Sequence, residues 1–261
     1  MKKVSILMLC IVTSCVVKKT GKKSTTTFSQ ETLVSSALKV LNIDASRTDF
    51  VFSKITPNNL EETIIVIPEV VNEEDEVYEL NTNIVIANNK TGKITHHYFE
   101  SSKTNGWYSD AIFIESIEID TTNYKLNRSK NAFGVIVKKR SMSQPNPYNE
   151  EIISLFTKEK GGIKKILDSY IIYEDSGIVN VNMNACYADF KIVANKLSVG
   201  DTKTNGYFDI LVHKTITQRN FRDDENGECN PKEKIIATEE TLLRFNKKEY
   251  KRENPEMPTE Q

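Results

Sequence analysis

Apolar residues recur along this chain at two different spacings. Between positions 30 and 41, Leu33, Val34, Ala37, Leu38 and Leu41 fall three or four apart, which puts them on one helical face. Ser29 is a natural N-cap, Glu31 sits in the first turn and Asn42 ends the run, so the spacing predicts an amphipathic helix over 30–41 that covers a sheet. After residue 50 the period shortens to that of strands. β-Branched and apolar residues dominate 63–67, a run that Pro68 should stop, and then 79–87, 94–99 and 111–119. The pattern continues over 131–139, where Phe133, Val135 and Val137 share one side, and over 152–158, 163–173, 188–197, 207–218 and 234–245. Turn residues separate them: an acidic stretch at 73–76, Asn88 to Lys93, Gly161-Gly162, and Asn246-Lys247-Lys248 leading into Glu249-Tyr250.

Fold class follows from this order. The pattern predicts an all-β antiparallel meander, closed as a sandwich, barrel or partial propeller, preceded by one helix. A single domain over 29–252 is expected, with a disordered tail over 253–261, where two prolines and three acids crowd nine residues.

One motif occurs twice. Lys103-Thr104-Asn105-Gly106-Trp107-Tyr108 recurs as Lys203-Thr204-Asn205-Gly206-Tyr207-Phe208, and each copy is followed by an Asp, Asp110 or Asp209, and an apolar segment. Asn-Gly tolerates positive φ, so both copies read as turns entering strands, in two similar halves or two equivalent hairpins.

Composition narrows the function classes. With 35 basic and 36 acidic residues the formal net charge is -1, which gives no global basic field for nucleic acid. No Gly-x-Ser-x-Gly, His-Glu-x-x-His or P-loop occurs, so no cofactor or resident metal is expected and an enzyme is disfavoured. His96 and His97 are adjacent on a strand and point to opposite faces, so they cannot share one metal. The segment from Arg222 to Glu233 aligns poorly with a calcium loop, because Arg222 stands where a carboxylate is needed; a hairpin turn accounts for it. Asp110 and Asp209 would serve acid–base chemistry on a glycan only if they converged within about 5–10 Å; as turn caps they would bind backbone N–H groups. The best binding candidates are Asn146 and Tyr148 in the Pro-Asn-Pro-Tyr loop, with Trp107 and Tyr108 as an aromatic patch.

The N-terminus is a targeting segment. Met1-Lys2-Lys3 is basic, 4–12 is apolar but for Ser5 and too short to span a bilayer, and the run ends in Val12-Thr13-Ser14-Cys15. This order resembles the bacterial lipobox, with Thr13-Ser14 where Ala or Gly is commoner. The resemblance implies a signal peptide over 1–14, lipidation of Cys15 and a flexible basic tether over 15–28. Val16, rather than Asp, then implies the outer membrane, periplasmic face. Cys10 leaves with the signal, so Cys186 and Cys229 remain as an even pair in an oxidising compartment, where a disulfide is expected.

Two further resemblances concern the domain. The stretch from Asn205 to Val212 is similar to a degenerate FG-GAP or propeller-type calcium repeat, but Lys-Thr-Asn replaces the acidic ladder, so only β topology carries over. From about residue 80 onward, the stretch from Ser143 to Glu151, the turn at 203–209 and the closing run from Phe245 to Tyr250 resemble a group of uncharacterised Gram-negative envelope lipoproteins, which implies no activity. The expectation is a lipid-anchored, non-enzymatic β domain that binds an envelope protein or polymer. A carboxylate glycan hydrolase and an inhibitor or immunity-type lipoprotein with a protruding loop at 143–151 are the alternatives.

Overall fold

Helix α1 (Gln30–Leu41) starts where the Ser29 hydroxyl accepts the Thr32 N–H and ends at Asn42, whose φ of 55° turns the chain out of the helix. Leu33 and Ala37 are buried against Ile65, Ile67, Val85 and Ala87. The computed structural model describes residues 27–48, 50–74, 77–180 and 186–252. The expected signal peptide, Cys15, nearly all of the tether and the 253–261 tail lie outside the described residues.

The rest is two antiparallel sheets. The first runs β1 (Phe52–Thr56), β2 (Asn59–Glu74), β3 (Val77–Asn88), β4 (Ile94–Glu100), with the short β5 (Tyr108–Ser109) also on β3. A single helical turn, α2 (Ser102–Asn105), links β4 to β5. The second sheet is a strict meander of β6 (Ile112–Lys125), β7 (Asn131–Ser141), β8 (Tyr148–Glu159), β9 (Gly162–Val179), β10 (Tyr187–Thr204), β11 (Tyr207–Asp223), β12 (Cys229–Phe245) and β13 (Tyr250–Arg252). The all-β antiparallel architecture with one N-terminal helix is therefore as expected.

Burial on both faces explains the continuous apolar runs. Ile64 and Val66 face the second sheet, packing with Ile84, Ile117, Val135 and Val137, while Ile65 and Ile67 face α1. A strand covered on both sides has no polar phase. The second sheet curls over itself to make a third layer. Ile153 and Leu155 of β8 pack with Ile210, Val212, Leu243, Phe245 and Tyr250, and the Phe208 N–H reaches the Leu126 carbonyl just past β6 at 2.7 Å.

Three expectations are corrected. Pro68 does not end its strand: β2 passes through it, because β1 starts opposite Val66 and the outer edge of β2 has no β1 partner at Pro68. The two Lys-Thr-Asn-Gly copies are not equivalent; the first is the helical turn α2 capped by Gly106, and the second is the two-residue hairpin joining β10 to β11. The late strands are also longer than their apolar patterns. β9 to β12 have 17 or 18 residues each, about 55 Å at roughly 3.3 Å per residue. Their distal halves leave the core as a four-stranded arm whose faces are mostly uncovered.

Local devices hold this arm. The Phe190 ring lies across Gly177, where an added Cβ would come within 2.5 Å of it, and Phe221 meets Phe190 edge-on at 6.0 Å. Ala188 and Ile192, on the same face of β10 as Phe190, are buried. The expected disulfide is present: Cys186, just before β10, bonds to Cys229, the first residue of β12.

Candidate interaction site

The first Lys-Thr-Asn-Gly turn is built around Asn105. Its amide donates to the Leu80 carbonyl at 2.8 Å and the Thr82 hydroxyl at 2.7 Å, and its oxygen accepts the Trp107 N–H at 2.7 Å. This fixes the chain so that Trp107 points into the core, 8% exposed, while Tyr108 stays outside, 48% exposed. Trp107, the residue before β5, is thus packed in the core rather than offered as a surface contact.

Beneath Tyr108 lies Lys139. It is only 8% exposed, its amine donates to the Gly106 carbonyl at 3.0 Å, and it sits 4.7 Å from the Tyr108 ring centre. Burial pushes the amine below the ordinary lysine value, with Glu150 and Asp110 acting the other way. Glu150 is its register partner on β8. The Tyr148 hydroxyl in turn donates to Glu150 at 3.1 Å, and burial first, then Glu150, raises that phenol. Tyr108 of β5, Lys139 of β7, and Glu150 and Tyr148 of β8 therefore form one connected row that steps from the first sheet onto the second, where the arm begins. The structure brings together two expected contact residues, Tyr108 and Tyr148, through two that the sequence reading missed. The readable signal was Lys139 itself: it falls in phase with Phe133, Val135 and Val137, an inward position for a charge.

The loop beside the row differs from expectation. Tyr148 is not at a tip; it is the first residue of β8 and half-buried. Asn146 is exposed, with its N–H on the Ser143 hydroxyl at 3.2 Å. The Pro145 and Pro147 carbonyls accept the Val179 and Gly177 N–H groups at 2.9 and 3.0 Å. The prolines thus extend β8 as an acceptor-only strand along β9, which ties the 145–147 part of the loop to the sheet.

The second aromatic pair lies elsewhere. Tyr207 packs on Phe245 with ring centres 4.2 Å apart, and Lys203 covers Phe208 at 4.3 Å. Asp110 accepts the Ile112 N–H at 2.9 Å, just before β6. Asp209 is buried, accepts the Thr202 hydroxyl at 2.6 Å, and follows Phe208, which bonds to Leu126 beyond the other end of β6. With 14 residues in β6, the two carboxylates are about 45 Å apart along the strand, far outside the reach of a glycosidase pair.

Other candidates resolve into local structure. Asp224 spends its carboxylate on the Asn226 and Glu228 N–H groups at 2.8 and 2.9 Å and on the Asn230 amide at 3.2 Å. Those bonds, the Glu228 N–H first, hold its carboxyl below the usual range. Arg222 turns instead to Asp189 at 2.6 Å and lies 3.9 Å from the Tyr187 ring centre. The segment is the β11–β12 hairpin turn. Among the described residues no three His, Cys, Asp or Glu side chains gather to hold a metal. His97 bonds to Asn83 at 3.2 Å and His96 to Thr95 at 2.9 Å; burial lowers both imidazoles. A cavity of about 230 Å³ opens between the sheets by Thr56, Glu62, Phe133 and Lys158; it shares no residue with the row.

No protein family, curated protein or solved structure matches the chain. Among the described residues no helix is long and apolar enough to cross a membrane.

Proposed function

We propose that this chain is a lipid-anchored envelope protein, held through Cys15 at the periplasmic face of the outer membrane, whose β domain is a non-enzymatic binding module for an envelope protein or polymer. The observation that carries the reading is the arm. Its exposed Ile178 and Tyr187 lie on the same face as Tyr148, its exposed Ile235 lies on the opposite face, and the Cys186–Cys229 bond braces its far end. A long, braced surface with aliphatic and aromatic groups uncovered suits contact with a large partner better than enclosure of a small one. The disulfide also fits an oxidising compartment, which is where a lipobox would deliver the chain.

The test is site-specific photocrosslinking from intact cells. A photoreactive residue at Tyr108 or Tyr148 should capture one recurrent partner, and the same probe at Lys248, away from the row, should not. Asn146→Ala/Tyr148→Ala should lower the yield. Equal capture from all three positions would remove the row as a binding surface. Failure of Cys15→Ala to release the protein from membranes would remove the anchor.

A further inference from the structure

One edge of the arm is open. Strand β12 pairs with β11 from Cys229 to Leu243 but with β13 only from Leu243 to Phe245. Among the described residues nothing pairs with its outer edge between Cys229 and Leu242. Ile235 and Ile236, 62% and 51% exposed, stand at the middle of that stretch. Unpaired edges of this length invite another strand.

The charge order along the edge says which strand. On the N-terminal side of the isoleucines Lys232 and Lys234 share one face, while Glu233 between them turns to the other face and is neutralised by Arg219 at 2.6 Å; Glu239 and Glu240 lie on the C-terminal side. A strand with cations at one end and anions at the other is complementary to itself when run antiparallel. We propose that the occupant of this edge is a second copy of the chain, pairing β12 with β12 about a two-fold axis between Ile235 and Ile236.

The bulge decides the register. Ile216 faces Ala237 while Thr217 faces Ile235, so Ile236 is one residue extra. In an unbroken strand, residues opposite each other about a two-fold axis are separated by an even number of positions. The extra residue shifts this to an odd number for pairs that straddle it. Lys232 can then face the partner's Glu239, Glu233 the partner's Thr238 and Lys234 the partner's Ala237, with no like charges opposed. Side-chain facing agrees. Lys232, Lys234, Ala237 and Glu239 pair with Asn220, Gln218, Ile216 and Lys214 of β11, all on one face. Glu239 already meets Lys214 at 3.2 Å, and no carboxylate among the described residues meets Lys232 or Lys234.

The chain's own tail fits less well. Continued in the β13 register, it would set Glu256 against Glu239, opposing like charges.

Sedimentation equilibrium of the purified chain, with Cys15→Ala so that no acyl group drives association, tests this. A monomer–dimer equilibrium is expected. Lys232→Glu should weaken it at least about ten-fold, since two attractive pairs become repulsive, and Lys232→Glu/Glu239→Lys should restore it. Lys232→Cys/Glu239→Cys should give a covalent dimer on oxidation, and Lys232→Cys/Thr241→Cys, out of register, should not. Removal of residues 253–261 should leave the dimer unchanged. A chain that stays monomeric up to about 1 mM, a dimer indifferent to Lys232→Glu, or a dimer that appears only when the tail is removed would each overturn the proposal.

Discussion

Consider replacement of both cysteines of the arm, Cys186→Ala/Cys229→Ala. The bond closes a loop with a sequence separation of 43. Chain-entropy reasoning assigns such a loop about 13 cal/mol/K of lost freedom in the unfolded state, or about 4 kcal/mol at 25 °C. Nearly half of β10, β11 and β12 lies in the arm, where few side chains are buried, so little else opposes local opening there. The double variant should therefore lose about 3–4 kcal/mol in guanidinium unfolding if the arm and the body unfold together. Amide exchange adds the spatial test. Protection of 214–223 and 229–241 should fall, while that of β2 and β3 should track the global change only. A loss under about 1 kcal/mol, with arm exchange unaltered, would show that strand pairing alone holds the arm and would refute the reasoning.

Three further substitutions test the local arguments. Asn105→Ala strips partners from the Trp107 N–H, the Leu80 carbonyl and the Thr82 hydroxyl together and should cost about 2–4 kcal/mol, whereas Asn205→Gly, which keeps the turn and loses one bond to Phe245, should cost about 1 kcal/mol in the same denaturation assay. Gly177→Ala forces the Phe190 ring aside and should cost about 1–3 kcal/mol, with altered near-ultraviolet dichroism from the arm aromatics. Lys139 has a lowered amine value in the folded state. The unfolded chain therefore binds more protons as pH climbs through that value toward 10.5, and stability from this group rises with pH over that window. Lys139→Met should flatten the rise in a pH series of unfolding midpoints, and an unchanged slope would reject the assignment.

Much of the architecture was legible because local chemistry and tertiary structure agree. Ser29, the 3–4 spacing and Asn42 bound α1 at its observed ends, and the turns expected near 88–93, Gly161 and 246–248 join observed strands, whereas Glu73 and Glu74 of the expected acidic turn are strand residues of β2 and 75–76 lie outside the described residues. Strand ends in the arm were not legible. Polar residues such as Glu174 and Asp175, or Arg219 and Asn220, carry no apolar phase, and they form strand only because their neighbours pair with them. Pro68 misled for a related reason: proline excludes a donor on one side, and nothing in the sequence says on which side a strand is unpaired. The disulfide pair was readable by counting. The interaction row was half-readable: Tyr108 and Tyr148 stood out as aromatics, but only the β7–β8 register shows that Lys139 and Glu150 lie between them.

The uninterrupted order of the second sheet bears on how the chain reaches its fold. Every strand from β7 to β13 pairs with its immediate predecessor. No pairing in that sheet waits for a distant segment, so structure can grow by adding one hairpin at a time in the direction of synthesis. Growth of this kind always exposes a leading edge to the next strand. That edge disappears only when a short, late piece arrives, and β13 covers three residues of the seventeen in β12. Among the described residues, one chain thus keeps part of its last growing front unpaired, a stage of assembly left for a further strand to complete.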